Sequence, residues 1–243
     1  MYNKICLSYF ILSMTFFLTN CTNRSTTTEN KTCQEFNNSY SLILKDISNR
    51  SDTAVLIKKL STIINNSKGC VDAYLTRGDL YLSVDSLKLA EKDYFMALHL
   101  DNNNTYSFYQ LGILYHLVNN EDSATYFFKK SLNTKTTENK VVIDYNEINK
   151  ELSTDNDKYD IPYDEIIYQM AKSYYYKREM NKAIENFNIC IQDNYMLDHV
   201  FLYRGAVYYE MGRKELACQD FFKAKGLGNQ EVDNYIKKYC NNR

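Results

Sequence analysis

One proline and seven glycines are all that the 243 residues contain of the two strongest chain breakers, where average usage would give roughly 12 and 17. No Asn-Gly, Asp-Gly or Gly-Gly dipeptide occurs, so nothing in the chain favours the tight turns of β-hairpins. Tryptophan is absent, net charge is only −1, and no Lys/Arg run forms a basic patch, which points away from a nucleic-acid partner. No apolar stretch reaches the ~20 residues that a spanning helix needs. Phosphate-binding glycine loops, a G-x-S-x-G elbow and a dinucleotide fingerprint are missing, as are C-x-x-C and H-x-x-x-H spacings. His99, His116 and His199 stand far apart, and the acidic run at 155–160 lacks the glycine and closing glutamate of a calcium loop. These absences lead us to expect no metal, no cofactor and no enzymatic activity. They leave an all-α chain.

What is abundant is tyrosine, 23 in all, and it recurs at a fixed interval. Four windows of 34 residues, 71–104, 105–138, 164–197 and 198–231, align without gaps. Position 4 of each window is Tyr74, Phe108, Ile167 or Phe201, and position 8 is Gly78, Gly112, Ala171 or Gly205. Position 11 is tyrosine throughout: Tyr81, Tyr115, Tyr174 and Tyr208. Position 20 is always alanine (Ala90, Ala124, Ala183, Ala217), and position 24 is Tyr94, Phe128, Phe187 or Phe221. Position 27 stays small, with Ala97, Ser131, Cys190 and Ala224. Positions 4, 8 and 11 share one face of a first helix, and 20, 24 and 27 share one face of a second. Small residues at 8 and 20 let the two backbones close up, and the aromatics fill what space remains.

This pattern resembles the tetratricopeptide repeat, over residues 71 to 231. The resemblance implies helix–turn–helix hairpins stacked in a right-handed superhelix, with Arg77 and Arg204 standing at position 7 where the family usually has leucine. Residues 37–70 fall in the same frame as a degenerate leading repeat, with Leu56, Leu60 and Ile63 at positions 20, 24 and 27. The domain reading is therefore a leading repeat plus two repeats over 37–138, an insertion at 139–163, and two more repeats with a C-terminal capping helix over 164–243. The insertion carries the lone Pro162 and is either a loop or an extra helix near Ile143 to Leu152. Stacked repeats expose an apolar end, and "QEVDNYIKKYC" reads as the helix that covers it.

In the family, the first-helix face opposite the packing stripe lines a concave groove where ligands bind. Transferred to this chain, that implies a tyrosine-rich partner site containing Tyr106, Tyr109, His116, Tyr168, Lys172, Tyr175 and Tyr209. Tyrosine offers a rigid ring and a hydroxyl at small entropic cost, which suits an extended or apolar peptide. Alternatively, these tyrosines serve only as surface or as packing for the insertion.

The first 20 residues read as a signal peptide, with Lys4 before an apolar run from Ile5 to Leu18. Leu18-Thr19-Asn20-Cys21 resembles a bacterial lipobox, which implies cleavage before Cys21 and diacylglyceryl attachment to its sulfur. Asn20 departs from the small residue usual there; an uncleaved anchor or a non-lipidated secreted protein are the alternatives. Residues 21–36 are polar and read as a flexible tether. The ending from Cys218 to Cys240 resembles C-termini of repeat lipoproteins from Bacteroidetes-type bacteria, which implies a Cys218–Cys240 disulfide. Cys33 and Cys70 bracket the leading helices as a second candidate pair, and Cys190 falls at a small core position. In a compartment without disulfide formation all five remain thiols.

The expectation is a lipid-anchored scaffold, on the periplasmic side of the outer membrane of a bacterial envelope, that holds a protein or peptide partner. The alternatives are an envelope assembly factor or chaperone for outer-membrane or secreted clients, and an accessory subunit of an envelope enzyme.

Overall fold

The computed structural model describes residues 52–66, 69–138 and 159–240, and every regular element among them is helical. Cys21, the tether, Cys33 and the segment near Ile143 to Leu152 lie outside the described residues. In chain order the helices are α1 (Thr53–Asn66), α2 (Val71–Ser83), α3 (Leu87–Leu100), α4 (Thr105–Leu117) and α5 (Glu121–Glu138). They continue as α6 (Tyr163–Tyr176), α7 (Met180–Gln192), α8 (Leu197–Glu210), α9 (Lys214–Gly226) and the short α10 (Asp233–Tyr235). The four sequence windows become the four hairpins α2–α3, α4–α5, α6–α7 and α8–α9. The chain forms two compact units: one contains α1 to α3 and continues to Ser107, with Tyr159 and Asp160; the other runs from Phe108 through α5 and from Ile161 onward.

Each hairpin closes as the periodicity predicts. Alanine at position 20 is fully buried in all four, and so is the position-24 aromatic. A Cβ added to Gly78 would stand 2.7 Å from the Tyr94 ring, one at Gly112 2.5 Å from Phe128, and one at Gly205 2.7 Å from Phe221. The aromatic ring thus lies directly on the helix backbone, and glycine is what admits it.

The turn inside each hairpin also repeats. Position 15 adopts positive φ every time: Asp85 at 59°, Asn119 at 57°, Arg178 at 64° and Gly212 at 76°. The N–H at position 16 then donates to the tyrosine carbonyl at position 11, at 2.8 Å for Ser86 to Tyr81, 2.9 Å for Asn120 to Tyr115, 2.9 Å for Glu179 to Tyr174 and 2.8 Å for Arg213 to Tyr208. This is the Schellman closure, normally built on glycine. Three of the four hairpins build it without glycine, which is why the scarcity of glycine does not forbid tight helix turns.

In α1, Leu56, Leu60 and Ile64 are buried and Ile63 only partly, so the leading stripe runs i, i+4, i+8 rather than ending at Ile63. At the C-terminus the predicted cap is present, but only Asp233–Tyr235 is α-helical; Ile236–Cys240 winds as a π-helical turn. Val232 and Ile236 enter a cluster with Phe201, Leu202, Ala217, Phe221 and Ala224, sealing the last hairpin. The Cys218–Cys240 disulfide, with Cα atoms 5.7 Å apart, ties this cap to α9. Cys70 is buried at the N-cap of α2.

Candidate functional site

The residues expected to line an open groove divide into two sets. Tyr106, Tyr109 and Tyr168 are buried, with 8%, 8% and 5% of their surface exposed. This corrects their expected exposure; for Tyr106 and Tyr109 the reason is their hydroxyl partners, and for Tyr168 it is ring packing. In the first unit the Tyr106 hydroxyl donates to Asp79 Oδ2 at 2.9 Å, beside Tyr94, which donates to Oδ1 at 2.8 Å. In the second unit the Tyr109 hydroxyl donates to Glu165 Oε1 at 2.6 Å, Gln169 donates to the same oxygen at 2.8 Å, and Tyr195 donates to Oε2. A carboxylate that accepts several hydroxyls lets polar aromatics pack inward without stranding their O–H groups.

Tyr168 packs against Phe187, Tyr195 and Tyr203, with ring centroids 6.1 to 6.4 Å away. Burial pushes its phenol far above the usual range, with Tyr203 and Glu165 adding to the effect. Lys172 sets its ammonium 5.5 Å from the Tyr168 ring centre and 5.6 Å from that of Tyr203, while donating to Gln169 Oε1 at 3.1 Å. It therefore contributes a cation–π seat above the core.

The second set stays at the surface of the second unit. His116, Tyr175 and Tyr209 occupy position 12 of successive repeats, near the C-terminal ends of α4, α6 and α8. His116 Nδ1 lies 2.9 Å from Glu121 Oε1, and its ring is 5.2 Å from Tyr176. Tyr176 is 51% exposed and 5.2 Å from Tyr175, whose hydroxyl donates to Glu210 Oε1 at 2.7 Å. Arg178 pairs with the other Glu210 oxygen. Tyr209, 38% exposed, packs with its ring centre 3.9 Å from that of Tyr239 of the cap, tilted by 35°, and Tyr239 lies 6.1 Å from Tyr235. The result is a row of surface rings running from α4 to the cap.

Sequence reading missed Tyr235 and Tyr239 because the cap lies outside the 34-residue frame. It also missed the ion pairs Arg77–Asp93 and Arg204–Asp220, although position 23 carries aspartate in the same two repeats that carry arginine at position 7. Among the described residues no three metal-ligating side chains converge and no helix is long and apolar enough to cross a membrane. The Cys190 thiol is pushed up to about 12, by burial first and then by Asp164 and Asp193, so it is inert at neutral pH.

The hairpin geometry defines this chain as having the tetratricopeptide-repeat fold. No family model and no curated protein matches it by sequence. Solved structures are similar to it in fold: MamA from Desulfovibrio magneticus is 12% identical with a TM-score of 0.63, covering 84% of this chain and 97% of MamA. YrrB, described as a TPR protein with an unusual peptide-binding site, is 15% identical with a TM-score of 0.60, covering 88% of this chain and all of YrrB (100%). PilW, described as a widely conserved type IV pilus biogenesis factor, is 12% identical with a TM-score of 0.60, covering 88% of this chain and 92% of PilW.

Proposed function

We propose that this protein is a lipid-anchored interaction scaffold of a bacterial cell envelope that holds a protein partner through an extended peptide segment. The observation carrying this reading is the surface row of rings formed by His116, Tyr176, Tyr175, Tyr209 and Tyr239. Tyr175 and Tyr209 at position 12 of two successive repeats, with the exposed Tyr176 beside them, offer apolar contacts with hydroxyls at the surface, which suits an extended chain. The peptide-binding site named for YrrB supports a peptide partner, and the pilus-biogenesis role named for PilW supports an envelope setting. The lipobox-like Leu18-Thr19-Asn20-Cys21 motif supports attachment through Cys21.

Cross-linking and capture from membranes tests the binding half. Changing Tyr176→Ala and Tyr209→Ala together is expected to lower capture of a stoichiometric partner at least tenfold, as loss of two moderate hot spots would, with the thermal midpoint nearly unchanged. Normal capture by the double variant removes the ring row from the reading. For the anchor, Cys21→Ser is expected to abolish lipid labelling and leave uncleaved precursor; persistent labelling defeats it.

A further inference from the structure

The first unit holds a tyrosine from a distant part of the chain. Tyr159, 83 residues after Thr76, places its hydroxyl 2.8 Å from Thr76 Oγ1 and 3.4 Å from the Asp72 carbonyl oxygen. Its ring lies 4.7 Å from that of Tyr106, tilted by 59°. Tyr106 is itself fixed by its bond to Asp79, which also receives Tyr94. Asp72, Thr76 and Asp79 project from α2 at repeat positions 2, 6 and 9, and Tyr106 stands at position 2 of the next repeat. Asp79 thus joins the tyrosine of its own hairpin, Tyr94, to that of the next repeat, Tyr106. The Tyr159 phenol is pushed well above its usual range, chiefly by burial and then by Asp72 and Asp79.

Such a seat is a specific one. It supplies an aromatic platform, a hydroxyl partner and a backbone acceptor, so it rewards a ring that also carries an O–H group. Phenylalanine would leave Thr76 and the Asp72 carbonyl without the phenol. We infer that this seat is a tyrosine-reading site, occupied in cis by Tyr159, and that a tyrosine in an extended segment of a partner protein competes for it. The inference rests on the scaffold reading above and adds to it a second contact point, with a stated ligand chemistry and a built-in competitor. A tethered competitor acts at an effective concentration in the millimolar range. If Tyr159 fills the seat nine-tenths of the time, an incoming tyrosine binds about tenfold more weakly than to the vacant seat.

The test uses the full chain and a synthetic acetylated hexapeptide of its own sequence, Lys158 to Tyr163 ("KYDIPY"), as the probe, read by calorimetry or fluorescence anisotropy. Tyr159→Ala is expected to bind this peptide about tenfold or more tightly than the intact protein. The same peptide with phenylalanine at the Tyr159 position should bind more weakly, by about fivefold for one lost hydrogen bond. Adding Thr76→Val to Tyr159→Ala should reduce that preference for tyrosine, leaving only the longer contact to the Asp72 carbonyl. Equal binding by the intact and Tyr159→Ala proteins overturns the inference, as does equal binding of the two peptides. Where Tyr159→Ala fails to fold, Tyr159→Phe keeps the ring and lacks the hydroxyl; it should yield the seat to the tyrosine peptide more readily than the intact protein, and unchanged affinity overturns the inference. Because the probe is this chain's own segment, a negative result leaves partner capture by the ring row standing, and failed capture leaves the seat standing.

Discussion

Arg204 and Asp220 meet in a two-pronged ion pair, with Nε and Nη2 of the arginine donating to the two carboxylate oxygens at 2.7 and 2.9 Å. Arg77 and Asp93 repeat it at 2.7 and 2.7 Å, again sixteen residues apart. The third donor is used alike in both: Arg77 Nη1 reaches Ser61 Oγ at 2.9 Å and Arg204 Nη1 reaches Asn188 Oδ1 at 2.5 Å, each on the second helix of the preceding repeat. The arginine therefore joins its own hairpin to the one before it. Asp93 and Asp220 are only 1% and 2% exposed, and the same two positions hold uncharged residues in the other repeats, Leu111 with Phe127 and Met170 with Asn186.

Breaking one partner of such a pair leaves a buried charge uncompensated. Asp220→Asn is expected to cost about 3 kcal/mol, as broken buried pairs do. The double change Arg204→Met with Asp220→Asn, which copies the third repeat, should recover most of that loss. Chemical denaturation of the three proteins checks it. A double variant no more stable than the single one would show that the pair does not substitute for apolar packing.

The glycine-to-ring contacts predict a contrast between two alanine substitutions. Gly112→Ala forces a methyl group against the fully buried Phe128 and should destabilise by about 1–3 kcal/mol, the usual range for overpacking. Gly226→Ala, with no atom within 4 Å of the added carbon, should be neutral or stabilising by under about 1 kcal/mol. Thermal melts of both decide it.

Asp164, in the first turn of α6, has its carboxyl raised to about 6 by burial first and by Asp193 second. Between an unfolded value near 3.8 and this folded value, the native state holds more protons than the unfolded chain. Its contribution to stability is therefore complete below pH ~4 and lost as pH rises through ~6. Asp164→Asn is expected to raise the thermal midpoint at pH 7.5 and to change it little at pH 4. A gain of the same size at both pH values would exclude this carboxyl as the cause.

The thiol chemistry divides by environment. In protein exported to an oxidising compartment, non-reduced peptide mapping should join the Cys218 and Cys240 peptides, and native Cys190 should resist alkylation until the chain is unfolded. A bridge across a separation of 22 residues is worth about 3 kcal/mol by loop entropy. Cys240→Ser should lower stability by about that amount, with the cap around Val232 and Ile236 losing hydrogen-exchange protection first. Unchanged protection would mean that apolar packing alone holds the cap.

Local pattern determined the hairpins. A 34-residue recurrence of small and aromatic residues specifies which faces of two neighbouring helices meet, because helical periodicity and close packing act over short chain distances. Gly205 against Phe221 was legible for that reason, whereas the Cys218–Cys240 pairing came only from the resemblance of the C-terminal segment to other repeat lipoproteins. The orientation of the remaining tyrosines was not. Whether Tyr109, Tyr168 or Tyr106 lies open or shut depends on what the chain packs against it: Glu165 accepts the Tyr109 hydroxyl, Asp79 accepts that of Tyr106, and the rings of Phe187, Tyr195 and Tyr203 surround Tyr168. Most of those partners come from other helices. Likewise nothing near Thr76 in sequence announces Tyr159. Burying a phenol is favourable only where its hydroxyl finds a partner, and only the tertiary structure decides where that is.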